Sequence, residues 1–375
     1  MKSSQQADIK TAVVVSPLPE ELMAGMICFS VPQQGNGEFS LPPVLNEDIA
    51  YILFTSGSTG VPKGVMVTYL NLENFIEWFT SRPAIAALYP HAVLNQAQFS
   101  FDLSVADLYY TLYIGCTLEL LQEGIPASAG ASRAELAIMT PSYADCCLLD
   151  ECFAARALPC LQTIFFCGEP LRGSTVRRLW QRFPGLRIIN AYGPTEATCA
   201  ISSAEITPDL AAQEVLPIGR ESGEAVDITL SAENRICLQG TSVAAGYLNG
   251  ACFEGRFLTG DLGHFEKEYL WYDGRCDDQI KYKGYRIEPV EIEAALTAQP
   301  NVQQAVVLPR YDRLGRVVAL RALVTTDGTT DEETLREALR HTLPDYMIPR
   351  QIIVCDKLPL TVNGKTDRKK AALLP

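Results

Sequence analysis

An α/β fold is what the sequence predicts, with a large α/β body followed by a small α+β unit. Three observations carry that reading. Apolar runs of strand length alternate with helix-length amphipathic stretches, the pattern of packed α/β layers. The pattern changes past about residue 275. The chain, at 375 residues, also exceeds one typical hydrophobic core, so two compact units are expected.

Taken in order, Thr11 to Ser16, Ala50 to Phe54, Thr163 to Cys167 and Arg187 to Ala191 are apolar runs of strand length. Ser174 to Phe183 has the amphipathic spacing of a helix. A helix is expected from Pro289 to Gln299, with proline in its first turn, then strands near Ala305 to Pro309 and Val317 to Thr325. Thr330-Asp331-Glu332-Glu333 has the Thr-x-x-Glu form of a capping box and precedes Leu335, Ala338 and Leu339 at helical spacing. From Leu343 the tail is rich in proline and glycine, as loops are. The boundary is placed between a core at 1–276 and a C-terminal unit at 277–375. No repeat and no low-complexity tract interrupts this order.

Composition excludes several classes of function. No apolar run approaches the 18 or so residues of a membrane helix, and the N-terminus lacks a signal-peptide layout, so the cytoplasm is expected. A net charge of −13 repels a nucleic-acid backbone. The twelve cysteines are scattered without a CxxC pair, which predicts reduced, buried thiols. His91, His264 and His341 stand far apart and away from cysteines, against a zinc site.

The most informative segment is Thr55-Ser56-Gly57-Ser58-Thr59-Gly60-Val61-Pro62-Lys63-Gly64, directly after the apolar run Tyr51 to Phe54. Glycines let backbone N–H groups approach phosphate oxygens, hydroxyls donate, and Lys63 supplies positive charge. It is not a Walker loop: Pro62 stands where that loop has glycine, and Lys63 is followed by Gly64 rather than Ser or Thr.

With this loop the sequence resembles the adenylate-forming superfamily of acyl-CoA synthetases, luciferases and nonribosomal peptide adenylation domains. The likeness continues through Asn190 to Thr198 (NAYGPTEAT), Gly240 to Asn249 (GTSVAAGYLN), Leu258 to Leu262 (LTGDL), Gly274 to Lys281 (GRCDDQIK), Gly284 to Glu288 (GYRIE) and Leu360 to Asp367 (LTVNGKTD). The resemblance implies ATP and Mg²⁺ as cofactors, and a truncated large adenylation core carrying a small mobile C-terminal domain. It implies ATP-binding roles for Thr55, Ser56, Gly57, Ser58, Thr59, Gly60, Lys63, Ala191, Tyr192, Gly193, Thr195, Asp261, Arg275 and Lys365. Within that set Tyr192 stacks on the base, Asp261 binds the ribose and Glu196 holds the metal. Asp277 is the hinge, and Lys63, Glu196 and Lys365 are the catalytic groups. Leu258 and Val290 depart from common arginine and glycine. Only about 50 residues precede the glycine-rich loop, so most of the family's N-terminal subdomain is missing. Oligomerisation, a partner or altered local residues must then shield the surface that the subdomain covers.

Phe99-Ser100-Phe101-Asp102-Leu103-Ser104-Val105 matches the segment in which amino-acid-activating members set an aspartate against the substrate ammonium. A carboxylate in an apolar pocket gains a partner only from a cationic substrate. Carried over by position, the pocket comprises Asp102, Leu103, Ala106, Ile138, Phe165, Cys167, Ala191, Cys199 and Ala200, an apolar lining suited to a small or medium aliphatic amino acid. Phe99 to Leu108 and Phe166 to Glu169 look particularly like D-alanine:carrier-protein ligases and their stand-alone biosynthetic relatives. The implied reaction forms an aminoacyl-AMP and passes the amino acid to the phosphopantetheine thiol of a carrier protein. Because the sequence stops at Pro375, ten residues after Lys365, the carrier is expected on another polypeptide. The alternatives are an acyl-CoA synthetase for a small acid and a catalytically silent relative that acts as a binding partner.

Overall fold

The computed structural model describes residues 11–14, 27–30, 43–57, 62–120, 132–220, 226–312, 316–328, 330–360 and 366–374. Ser58, Thr59, Gly60 and Lys365 therefore lie outside the described residues, as do Ser16 and the glycine-rich loop's Val61. Strands β1 (Thr11–Val14) and β2 (Ile27–Ser30) pair in parallel. Next come β3 (Ile49–Thr55) and β4 (Lys63–Thr68), an antiparallel pair whose register sets Thr55 opposite Lys63. The two ends of the glycine-rich loop are thereby fixed side by side. Helix α1 (Tyr69–Thr80) starts at once, because Thr68 Oγ1 accepts the Asn71 N–H while the Asn71 side chain accepts the Thr68 N–H.

The central sheet contains β5 (Ala92–Asn95), β6 (Thr117–Leu120), β7 (Ala134–Met139), β8 (Thr163–Phe166), β9 (Arg187–Tyr192) and β10 (Ser202–Glu205), in the order β10-β9-β8-β7-β5-β6. All its pairings are parallel except β9 with β10. Parallel strands need crossovers, and α2 (Leu103–Ile114), α3 (Pro141–Cys147) and α4 (Gly173–Arg182) supply them. Period-two alternation divides the core. Ile164 and Phe166 pack with Met139, Val176 and Leu179 on one face, while Phe165 packs with Ile138, Phe79 and Tyr110 on the other. Each fully buried side chain of this size contributes roughly 1.5–3 kcal/mol.

A five-stranded antiparallel sheet follows, built from β11 (Gly219–Arg220), β12 (Val226–Leu230) and β13 (Arg235–Gly240), and from two strands after β14 (Gly246–Tyr247). Those two are β15 (Arg256–Glu266) and β16 (Tyr269–Arg275), while β14 itself joins β4. The last unit has its own core. Its strands are the hairpin β17 (Ile280–Tyr282) and β18 (Tyr285–Ile287), the antiparallel pair β19 (Val302–Tyr311) and β20 (Val317–Thr326), and β21 (Gln351–Val354), parallel to β20. Helices α5 (Pro289–Thr297) and α6 (Glu332–Arg340) cover them, and Ile287, Ile292, Leu296, Val307, Leu335 and Leu339 close the small core.

Two expectations need correction. Helix α6 is capped by Asp331, whose carboxylate accepts the Thr334 N–H at 2.9 Å, and not by a Thr330–Glu333 box. A carboxylate one residue later meets the helix's positive end directly and outcompetes the neutral hydroxyl. The cysteines are free thiols among the described residues, but Cys146, Cys152, Cys252 and Cys276 are exposed rather than buried. The two family departures are mild, since Leu258 and Val290 both lie at the surface.

Candidate active site

The site lies where the large lobe meets the β17–β18 hairpin of the small one. A cavity of about 490 Å³ opens there. Thr55 and Ser56, Gln96 to Gln98, Asp102 and Leu103, Cys167, Thr195 and Cys199 line it from the large lobe, and Lys281, Gly284, Tyr285 and Arg286 from the small. Parallel-strand ends and the loops after them thus face one crevice, the usual ligand position in open α/β sheets.

Asp102 sits at the start of α2 and lines this cavity; its carboxylate accepts a 2.5 Å hydrogen bond from Thr195 Oγ1. Burial pushes its pKa up, and Thr195 pulls it back. No cation pairs with it directly at ion-pair distance among the described residues, so a bound ammonium would complete it. Of the other predicted pocket residues, Leu103, Cys167 and Cys199 line the cavity. Ala106, Ile138, Phe165 and Ala200 lie behind it in the apolar core. Ala191 instead borders a small recess with Tyr192 and Gly193. Burial, then the Asp102 charge, pushes the Cys167 thiol up to about 12, so it is a neutral wall.

The ribose and hinge positions form one chain of charge. Tyr192 Oη donates to Asp261 at 2.9 Å, Arg275 reaches the other Asp261 oxygen at 2.6 Å, and Arg275 also grips Asp277 at 2.6 and 2.7 Å. Burial pushes Asp261 up, but Lys281 and Arg275 outweigh it and hold the carboxyl below its ordinary range. A Cβ at Gly260 would come within 2.2 Å of an Asp277 oxygen, so a larger residue there would push the Asp277–Arg275 pair aside. Lys281 stands 5.8 Å from the Tyr192 ring centre and 5.4 Å from that of Tyr272.

Glu196 is fully buried in the turn after β9. Tyr247 Oη donates to it at 2.7 Å, and Arg286 Nη1 donates to both carboxylate oxygens at 2.9 and 2.8 Å. Lys63 lies 5.2 Å from the Tyr247 ring centre. The hydroxyl of Thr55 is buried without a partner, a donor suited to a phosphate oxygen. Among the described residues no three His, Cys, Asp or Glu side chains gather as a metal cage. A single carboxylate beside phosphate-binding hydroxyls still fits Mg²⁺, which commonly takes one or two carboxylates and completes its shell with substrate phosphates and water.

Sequence reasoning did not assign roles to Arg286, Lys281, Glu169 or Tyr247, although all four lie inside quoted motifs. Glu169 accepts the Gly284 N–H at 2.6 Å and so ties the lobes together. Charged or hydroxyl-bearing residues inside glycine-rich motifs are the signal that could have found them.

This geometry is that of the AMP-binding enzymes, and the chain belongs to that family: the family profile matches residues 2–248 and its C-terminal domain profile residues 291–365. Its relatives include the D-alanine–D-alanyl carrier protein ligases of Bacillus licheniformis, 37% identical over 87% of this chain and 71% of that one, and of Lactiplantibacillus plantarum, 36% identical over 97% and 77%. A solved nonribosomal peptide synthetase protein with adenylation and PCP domains, bound to a vinylsulfonamide inhibitor, superposes with a TM-score of 0.81 at 25% identity, over 99% of this chain and 68% of that one. A Vibrio cholerae adenylation domain in complex with glycyl-adenosine-5'-phosphate shares the fold, with a TM-score of 0.77 at 24% identity over 99% and 77%. Among the described residues no helix is long and apolar enough to cross a membrane.

Proposed function

We propose that this enzyme activates a small or medium aliphatic amino acid with Mg·ATP and transfers it to the phosphopantetheine thiol of a separate carrier protein. Asp102 is the observation that carries the amino-acid reading: a carboxylate with no direct cationic partner among the described residues, on a cavity wall it shares with the uncharged Leu103, Cys167 and Cys199, selects a substrate with an ammonium group. The names of the relatives make D-alanine the first candidate.

In the first step a carboxylate oxygen of the amino acid attacks the α-phosphorus of ATP, and the bond to the β-phosphate oxygen breaks to release pyrophosphate. Asp102 holds the ammonium, Tyr192 and Asp261 hold the base and ribose, and Thr55, Ser56 and Lys63 hold the phosphates. Glu196 would hold Mg²⁺, which would supply charge neutralisation for the triphosphate when bound. Lys365, outside the described residues, is assigned to the oxygens on which negative charge accumulates. In the second step the thiol sulfur attacks the acyl carbon, AMP leaves with the carboxylate oxygen, and the thiol proton passes to solvent.

The second step also has a route. A further cavity of about 610 Å³ lies between the lobes, lined by Pro141, Glu169, Lys283, Tyr311 and Arg316 among others, and it shares Lys281 and Lys283 with the first. The small domain then turns about Asp277, at the 276/277 boundary, between steps. Pyrophosphate exchange with D-alanine, L-alanine, glycine, β-alanine and propionate tests the reading. Exchange led by an alanine or glycine is expected, and propionate matching them would reject it.

A further inference from the structure

Arg286 holds two groups that the proposed nucleotide site requires. Its side chain binds both oxygens of Glu196, and its backbone carbonyl accepts the Ser56 hydroxyl at 2.8 Å. Glu196 has no surface on the cavity, whereas Arg286 does, so the guanidinium covers the carboxylate from the side on which a cation would arrive. Burial opposes the Arg286 charge, but Glu196 beside it raises the guanidinium pKa above its ordinary value.

From this arrangement, and resting on the adenylating role proposed above, we infer that Arg286 is a built-in competitor of Mg·triphosphate: it latches the small lobe onto Glu196 and Ser56, and nucleotide binding must evict it. Two cations cannot both lie against one buried carboxylate without strong repulsion, and Ser56 cannot donate one proton to both a carbonyl and a phosphate. Side-chain rotation alone would not clear the site, because the backbone of the same residue holds Ser56. The preceding turn is tied to the large lobe as well, through the Gly284 N–H on Glu169. Eviction therefore displaces strand β18, and with it the lobe. Arrival of Mg·ATP becomes the trigger that frees the small domain for the first step.

The test uses the full chain, Mg²⁺ with α,β-methylene-ATP, and hydrogen exchange across residues 280–288 beside equilibrium binding. In the wild type this segment exchanges slowly, and saturating nucleotide analogue speeds it about tenfold. Arg286→Ala is expected to exchange fast from the outset and to bind the analogue at least fivefold more tightly, while Arg286→Lys restores the protection. Glu196→Gln, which breaks the pair from the other side, releases the same segment without nucleotide, and the double variant goes no further than either single one. Protection as strong in Arg286→Ala and Glu196→Gln as in the wild type overturns the latch, as does unchanged or weaker analogue binding by Arg286→Ala. Failure of all forms to bind the analogue would reject the adenylating role instead, and the nucleotide-free exchange comparison would still decide the latch.

Discussion

Removing the Asp102 carboxylate separates an amino-acid site from a site for simple acids. Among the described residues its only direct side-chain partner is the Thr195 hydroxyl at 2.5 Å, and burial already disfavours its charge, so a substrate ammonium would be its principal compensation. Opposite charges about 4 Å apart attract by about 4 kcal/mol at an effective dielectric of about 20, and desolvating both returns part of that. A net loss of about 2–4 kcal/mol follows for Asp102→Ala, or roughly 30- to 900-fold in kcat/KM for alanine. Propionate has no ammonium to lose and should change by less than about threefold. Asp102→Asn keeps the shape and an acceptor for Thr195 while deleting the charge, so it should behave like the alanine variant. Steady-state pyrophosphate exchange with both substrates measures the ratio. Equal losses for alanine and propionate would refute the assignment of Asp102 to the ammonium and leave it a structural carboxylate.

Three further outcomes follow from the geometry. Gly284 has φ +82°, and an added Cβ would come within 2.7 Å of Thr140 Cγ2, so Gly284→Ala should slow transfer to a carrier by roughly 5- to 150-fold, from about 1–3 kcal/mol of strain, with a smaller effect on exchange; equal effects on both steps would count against a role in the second. Asp107 is buried with Asn95 at 2.6 Å, and burial raises its carboxyl from 3.8 to about 7. The folded chain therefore keeps a proton there that the unfolded chain has lost, stability drains away by up to about 4 kcal/mol between about pH 4 and pH 7 and is level above, and Asp107→Asn should remove that slope in urea melts. Asp331→Ala should lower the midpoint of the same melts, whereas Thr330→Ala should leave it almost unchanged, because Asp331 is the residue that caps α6.

Much of the fold was legible because it rests on local pattern. The runs at Thr163 to Cys167 and Arg187 to Ala191 read as strands from apolar character alone, and both lie in the parallel sheet within a residue of the expected ends. The strand at Ala305 to Pro309 was read too short, since β19 continues into polar residues at Gln303, Gln304 and Arg310 that periodicity cannot distinguish from loop. At the site, Thr55, Ser56, Asp102, Thr195, Asp261 and Arg275 converge on one cavity although as many as 220 positions separate them in sequence. Motif order could suggest that convergence, but not which groups touch. Phe165 and Ile138 are one layer too deep to line the cavity, a distinction set by sheet packing rather than by residue type. The Arg286–Glu196 pair was invisible for a different reason: it joins residues 90 positions apart across the contact between the two lobes, and no local preference encodes that contact.

The most direct test of amino-acid activation follows one oxygen atom. With alanine carrying ¹⁸O in its carboxylate, and hydroxylamine as an acceptor in place of the carrier thiol, attack on the α-phosphorus followed by acyl transfer leaves one ¹⁸O in AMP. Mass spectrometry of the products should show AMP heavier by about 2 Da, in amounts matching the hydroxamate, since the acyl carbon–oxygen bond is the one that breaks. Label in inorganic phosphate, or hydroxamate formed with unlabelled AMP, would contradict the adenylate route.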